Sequence, residues 1–135
     1  MANVLYDKGR EGFLDGSIDY DTDSIKVVGV DHGTDTPAPA SDANLSDIGA
    51  GARVFTSGNL TTKTVASGVA DADDVVVPTV SGASVESINL YKDTGSAATS
   101  RLIAYIDSAT GLPVTPNGGD ITIVWDAGAN KIFKL

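Results

Sequence analysis

Residues 88–107 read INLYKDTGSAATSRLIAYID. Two runs rich in β-branched and aromatic side chains flank a turn of Gly, Ser and Thr, the pattern of two short strands with a loop between them. Alternation puts Ile88 and Leu90 on one face of the first run. In the second it puts Leu102, Ala104 and Ile106 together, with Ile103 and Tyr105 opposite. Both faces are partly apolar, which predicts a sheet covered on both sides. Its own core covers one side; the helix or a neighbouring subunit covers the other.

Working outward, Ser24–Val30 (SIKVVGV) reads as a strand bounded by Asp-rich turns. Further strands are predicted at Ala52–Thr56, Thr61–Ala66, Asp74–Thr79, Ser84–Lys92, Arg101–Ile106, Asp120–Trp125 and Lys131–Leu135. Turn residues separate them, notably Pro116-Asn117-Gly118-Gly119, read as a hairpin turn, and Asp126–Asn130. The acidic residues divide into sixteen Asp and two Glu beside fifteen Gly. That bias favours turns and strand ends over helix interiors. The expected fold is therefore mainly β, an antiparallel β-sandwich or small barrel with one short N-terminal helix. The helix is placed at about residues 3–15 from the spacing of Leu5, Lys8, Gly9 and Phe13, with Asn3 as N-cap and Gly16 as the left-handed residue after it. Gly9 and Gly12 inside it imply close packing or fraying. Residues 31–51, with Pro37, Pro39 and small side chains, are read as a long exposed loop.

The 135 residues and 13.7 kDa fit one β-rich domain, residues 1–135. A chain of this mass exposes roughly 6,600 Å² when folded and roughly 20,000 Å² when extended, enough for a core without staples. Cysteine is absent, which excludes disulfides, thiolate metal sites and Cys nucleophiles. Nine basic residues against eighteen acidic ones give a net charge of −9. The basic residues are scattered, so nucleic acid and anionic lipid are not expected partners. No apolar run approaches the ~20 residues of a membrane-spanning helix, and the opening MANVLYDKGREG predicts no secretory leader.

Few residues offer chemistry. Asp19-Tyr20-Asp21-Thr22-Asp23 alternates carboxylates like the start of a calcium loop, but Ser24 and Val30 stand where Gly and Glu are needed. A solvated turn explains it, as it does Asp71-Ala72-Asp73-Asp74, and a weak hard-cation site is the most either supports. His32 beside Asp31 lacks a G-x-S-x-G nucleophile elbow and reads as an exposed loop histidine. The Gly49–Ala52 and Asn117–Gly119 segments lack the Lys-Ser/Thr of a phosphate loop. Trp125 is expected to anchor the core, the alternative being a ligand platform. No catalytic, cofactor-binding or metal-binding residue is assigned.

The opening LYDKGREGFLDGSIDYDTDSIKVVGVD resembles the start of a family of small virion structural proteins of tailed bacteriophages. There a short helix of the type LY-x-KG-x-E-x-FL-x-G leads into a strand of the type IDxxxDTIKVxLVD. LSDIGAGARV, GVADADDVVV, INLYKDTGSAATSRLIAYID and NGGDITIVWDAGANKIFKL follow in the family's order, so the resemblance covers most of the chain. It weakens between His32 and Asn44, where the family is variable and TDTPAPASDA replaces a Tyr-containing strand end. The resemblance implies a non-enzymatic virion component, foremost a head decoration or cement subunit on the outer capsid, made in the bacterial host cytoplasm. The major capsid protein is then the expected partner, with self-association, a trimer among the options. The alternative is a tail, collar or fibre module that binds a host glycan or another tail protein, using an aromatic groove near Trp125 or Tyr20. The helix and acidic turn at the amino end are expected to form a docking or oligomer-locking element.

Overall fold

The computed structural model describes residues 3–135. The chain opens with strand β1 (Val4–Leu5) and helix α1 (Asp7–Asp15), followed by β2 (Ile25–Val30) and β3 (Arg53–Thr56). Three short strands come next, β4 (Thr64–Ala66), β5 (Val69–Asp71) and β6 (Val75–Val77). The long central strands β7 (Ser87–Lys92) and β8 (Leu102–Ile106) precede β9 (Ile121–Ile123) and β10 (Phe133–Lys134). All pairs are antiparallel, in a five-stranded sheet β1-β8-β7-β2-β3, a three-stranded sheet β10-β5-β4 and a ribbon β6-β9. The fold is thus mainly β with one short α-helix, compatible with a small sandwich; among the described residues no sheet closes into a barrel.

The five-stranded sheet is buried on both faces within one chain. One face sends Ile25, Val27, Ile88, Leu90 and Ala104 into a cluster with Ala70, Val75, Val77, Ile123, Trp125 and Phe133 from the smaller sheets and their ends. The other packs Val28, Val30, Tyr91, Leu102 and Tyr105 against Tyr6, Leu45, Ile48 and Ala52. The second face is covered from within the monomer, but by Tyr6 and residues 45–52 rather than by the helix as expected. The folded chain exposes 6494 Å², in line with the roughly 6,600 Å² of a monomer of this mass.

That second layer corrects the expectation of an exposed loop. Residues 31–51 contain a 3-10 turn at Leu45–Asp47, and a second spans Ala50–Ala52. Pro37, Pro39, Leu45 and Ile48 are buried. Asn44 bridges to Arg101, and Leu102 N–H donates to the Ala43 carbonyl at 3.0 Å. Four apolar residues distributed over a long segment show no periodicity, so the sequence does not mark them; buried, a residue such as Ile48 contributes about 1.5–3 kcal/mol.

The amino end also differs. The helix begins at Asp7, and Val4–Leu5 pair instead with Tyr105 and Ala104 as an edge strand. Asn3 is not a helix cap: its side-chain Oδ1 accepts the N–H groups of Asp107 and Ser108 at 3.0 and 2.9 Å, fastening the start of the chain to the end of β8. Gly16 takes the expected left-handed conformation at φ 81°. Gly9 serves close packing: a Cβ there would stand 2.7 Å from the Leu102 carbonyl oxygen and 2.9 Å from Ile103 Cα.

Strict alternation fails in β8. The β7–β8 register shifts after Leu90, which faces Ala104, while Tyr91 faces Leu102. Ile103 is the extra residue of a bulge, so it shares the cluster of Ala104, and Leu102 moves to the face of Tyr105. The segment predicted as one strand, Thr61–Ala66, is strand only from Thr64. It forms a hairpin with β5 through the two-residue turn Ser67-Gly68, both at positive φ, a turn the sequence reading did not mark. The turn at Asn117–Gly119 does not join a hairpin, since β9 pairs with the distant β6.

Candidate functional site

The polar groups with most chemical potential converge between the five-stranded sheet and residues 31–52. Ser87 and Asn89 alternate with Ile88 and Leu90 along β7, so both point to the face covered by that segment; each is fully buried. Tyr6, also fully buried, donates its hydroxyl to Asn89 Oδ1 at 2.6 Å. Asn89 Nδ2 donates to Ser87 Oγ at 3.0 Å, and His32 Nε2 lies 2.8 Å from the same oxygen. The imidazole stacks on the Tyr105 ring at 6.1 Å between centroids, and Tyr105 donates to Asp107 Oδ2 at 2.9 Å. The His32 N–H donates to Glu86 Oε2 at 2.9 Å. His32 is therefore half-buried in a polar chain, which corrects its reading as an exposed loop residue.

A serine against an imidazole invites comparison with a nucleophile and its base. The surroundings make it a structural contact. Ser87 has no exposed surface, so a substrate carbonyl has no approach to Oγ. Both oxygens of Asp31, the acid nearest in sequence, are directed elsewhere: Oδ1 accepts the Gly33 N–H and Oδ2 the Thr34 hydroxyl, each at 2.8 Å. The chain His32–Ser87–Asn89–Tyr6 satisfies four polar side chains at once and pins residues 31–52 and the amino-terminal segment to one strand. Burial is the largest cause raising the Tyr6 hydroxyl above the ordinary phenol range, with Asp42 and Tyr105 adding to it, so it stays a donor. The visible signal in the sequence is Ser87 and Asn89 at alternate positions of an otherwise apolar central strand.

The acidic turns are likewise occupied. Asp23 Oδ2 accepts the Asp19 N–H at 2.8 Å and meets Lys92 Nζ at 3.2 Å, while Lys63 Nζ donates to the Asp23 carbonyl. Asp19 and Asp21 share a hydrogen bond that lowers the first carboxyl and raises the second. Around Asp71–Asp74, Asp73 Oδ2 accepts the Thr62 hydroxyl at 2.7 Å and Asp74 Oδ1 the Trp125 N–H at 3.0 Å. Among the described residues no three His, Cys, Asp or Glu side chains gather as a metal would require. Trp125 and Tyr20 are core residues: the indole donates to the Asp73 carbonyl at 3.1 Å, and the Tyr20 hydroxyl to the Asp71 carbonyl at 2.9 Å. Both rings are almost wholly buried, Tyr20 at 5% and Trp125 at 9% exposure.

What remains is surface. A shallow, mostly apolar depression lies among Phe13, Tyr20, Val65, Phe133 and Leu135. Leu14, Val65, Val76, Val124 and Leu135 are exposed. Among the described residues no helix is long and apolar enough to cross a membrane. No protein-family model and no curated protein matches the chain.

Proposed function

We propose that the protein is a non-enzymatic virion structural protein of a tailed bacteriophage, a head decoration or cement subunit that binds the outer capsid and stabilises contacts between capsid subunits. The observation that carries this reading is the ordered set of segments from LYDKGREGFLDG to NGGDITIVWDAGANKIFKL along most of the chain. Three features of the fold support it. His32, Ser87 and Asn89 are committed to one another by hydrogen bonds, with Ser87 and Asn89 inaccessible. The chain buries both faces of its main sheet unaided, so it can exist before assembly and still present a fixed surface afterwards. Several short strands sit at sheet edges, where a partner strand can add main-chain bonds.

Cement proteins act by multivalency: many weak contacts repeated by symmetry give a strong attachment. The major capsid protein is the proposed partner, and a self-associated form such as a trimer would match a site where capsid subunits meet. Imaging of intact virions tests the reading. Density for this chain on the outer shell, between capsid subunits, is expected; density confined to the tail, or none in particles, overturns the head assignment.

A further inference from the structure

We propose that the outer face of the β6–β9 ribbon is a docking surface for a protein segment that combines small apolar side chains with Lys or Arg. This deepens the reading of the protein as a surface-fitting component by naming the face and the chemistry of what covers it. The ribbon turns Val75, Val77 and Ile123 into the core. Its opposite face carries Val76, 56% exposed, across from Thr122, with Val124, 70% exposed, just past the end of β9. Exposed β-branched residues side by side on a strand pair form an apolar strip that water solvates poorly. Neither edge of this ribbon is paired with a third strand among the described residues, so an extended partner can also find main-chain donors and acceptors there.

Charge selects the occupant. Asp74, Asp120 and Asp126 are exposed at the ends of the two strands. Each is fixed through Oδ1, which accepts the N–H of Trp125, Thr79 and Gly128 respectively. No Lys or Arg occurs in residues 64–91 or 102–130, which together hold seven carboxylates. Lys131 Nζ reaches the Ala127 carbonyl at 3.5 Å beside Asp126, but the three exposed carboxylates outnumber it, so the apolar strip fits a partner whose apolar residues are flanked by positive charge and disfavours nucleic acid and anionic lipid. A second copy does not meet that requirement. The remaining residues hold all nine basic side chains but eleven acidic ones. Lys8, Arg10, Lys26 and Lys92 are moreover paired to Glu11, Asp7, Asp93 and Asp23. The remaining residues, nine basic against eleven acidic, thus sum to −2, so a neighbouring copy brings net negative charge to the ribbon.

The test titrates the intact chain with two synthetic peptides that share alternating Val and Thr, one interspersed with Lys and the other with Glu, by fluorescence anisotropy. The Lys peptide is expected to bind and the Glu peptide not. Raising salt from about 0.05 to about 0.3 M should weaken binding about tenfold. Asp→Asn replacement at Asp74, Asp120 and Asp126 keeps each Oδ1 acceptor and should cost about tenfold, and Val124→Ser should weaken binding severalfold. Neutralising Glu11, Asp15 and Asp21, exposed carboxylates of α1 and the turn after it, should change little. Absence of Lys-peptide binding, or an equal loss from that second set, overturns the proposal, the latter by assigning binding to bulk charge. So does sedimentation showing an oligomer that Val124→Lys converts to monomer, because a second copy would then be the occupant. These outcomes stand apart from virion imaging: a chain missing from particles leaves the peptide result intact, and a failed peptide titration leaves the head location intact.

Discussion

The Phe55 ring lies directly over Gly29 in the neighbouring strand, so close that a Cβ on Gly29 would come within 2.1 Å of Phe55 Cε2. Hydrogen is the only substituent this crossing admits. Gly29→Ala is expected to destabilise the protein by about 1–3 kcal/mol through overpacking. Phe55→Leu, which vacates part of the ring volume, should make the second substitution less costly than in the parent. Urea unfolding of the four proteins of the cycle reads this as a coupling, and strict additivity would refute the contact's importance.

The buried polar chain on β7 should respond asymmetrically to substitution. Tyr6→Phe preserves the ring and removes the hydroxyl that donates to Asn89 Oδ1. A buried acceptor left without its partner costs about 1–3 kcal/mol, well above the loss of an exposed hydroxyl. Chemical denaturation checks the magnitude, and Tyr105→Phe, whose hydroxyl bonds the less buried Asp107, should cost less.

Acid should act on the segment over residues 31–52 with opposite signs at two carboxyls. The Asn44 and Ala43 N–H groups hold the Asp47 carboxyl below its ordinary range. Its contribution is complete above the unfolded value of about 3.9 and fades as pH falls through the lower folded value. Burial raises the Asp42 carboxyl, with the charges of Asp47 and Asp35 adding to the effect. Protonating Asp42 therefore favours the fold, and its ionised form costs stability above the raised value. Asp47→Asn should flatten the acid loss. Asp42→Asn should be at least as stable as the parent at pH 7, the difference closing below about pH 4. Unfolding midpoints between pH 7 and 3 measure both.

Deleting residues 1–16 would remove Tyr6 from the core and β1 from the sheet edge, so loss of cooperative folding is the expected result. The docking role expected of the amino end needs a gentler probe. Leu14 is 88% exposed on α1, and Leu14→Ser should shift stability by no more than about 0.5 kcal/mol. If the helix locks an oligomer or an attachment, sedimentation or particle binding changes while the unfolding midpoint does not; unchanged assembly removes that role from this face of the helix.

Gly9 makes the same point about helix propensity. In an isolated helix Ala would be better than Gly by about 1 kcal/mol. Here the added methyl meets the Leu102 carbonyl and Ile103 Cα, backbone atoms that cannot rotate away. Gly9→Ala is expected to lower the thermal midpoint, and a raised midpoint would mean that α1 can slide on β8.

Local pattern determined the class of this protein. Alternating apolar runs, Asp and Gly punctuation and one helical spacing were enough for a mainly β chain with a short helix near its start, because strand and turn preferences act between residues close in sequence. The core position of Trp125 was legible for the same reason. Only the tertiary structure decided what covers the second face of the main sheet, which side Leu102 takes after the bulge, and that His32 meets Ser87. Each depends on contacts between segments dozens of residues apart, where packing volume and the satisfaction of buried polar groups outweigh any local preference.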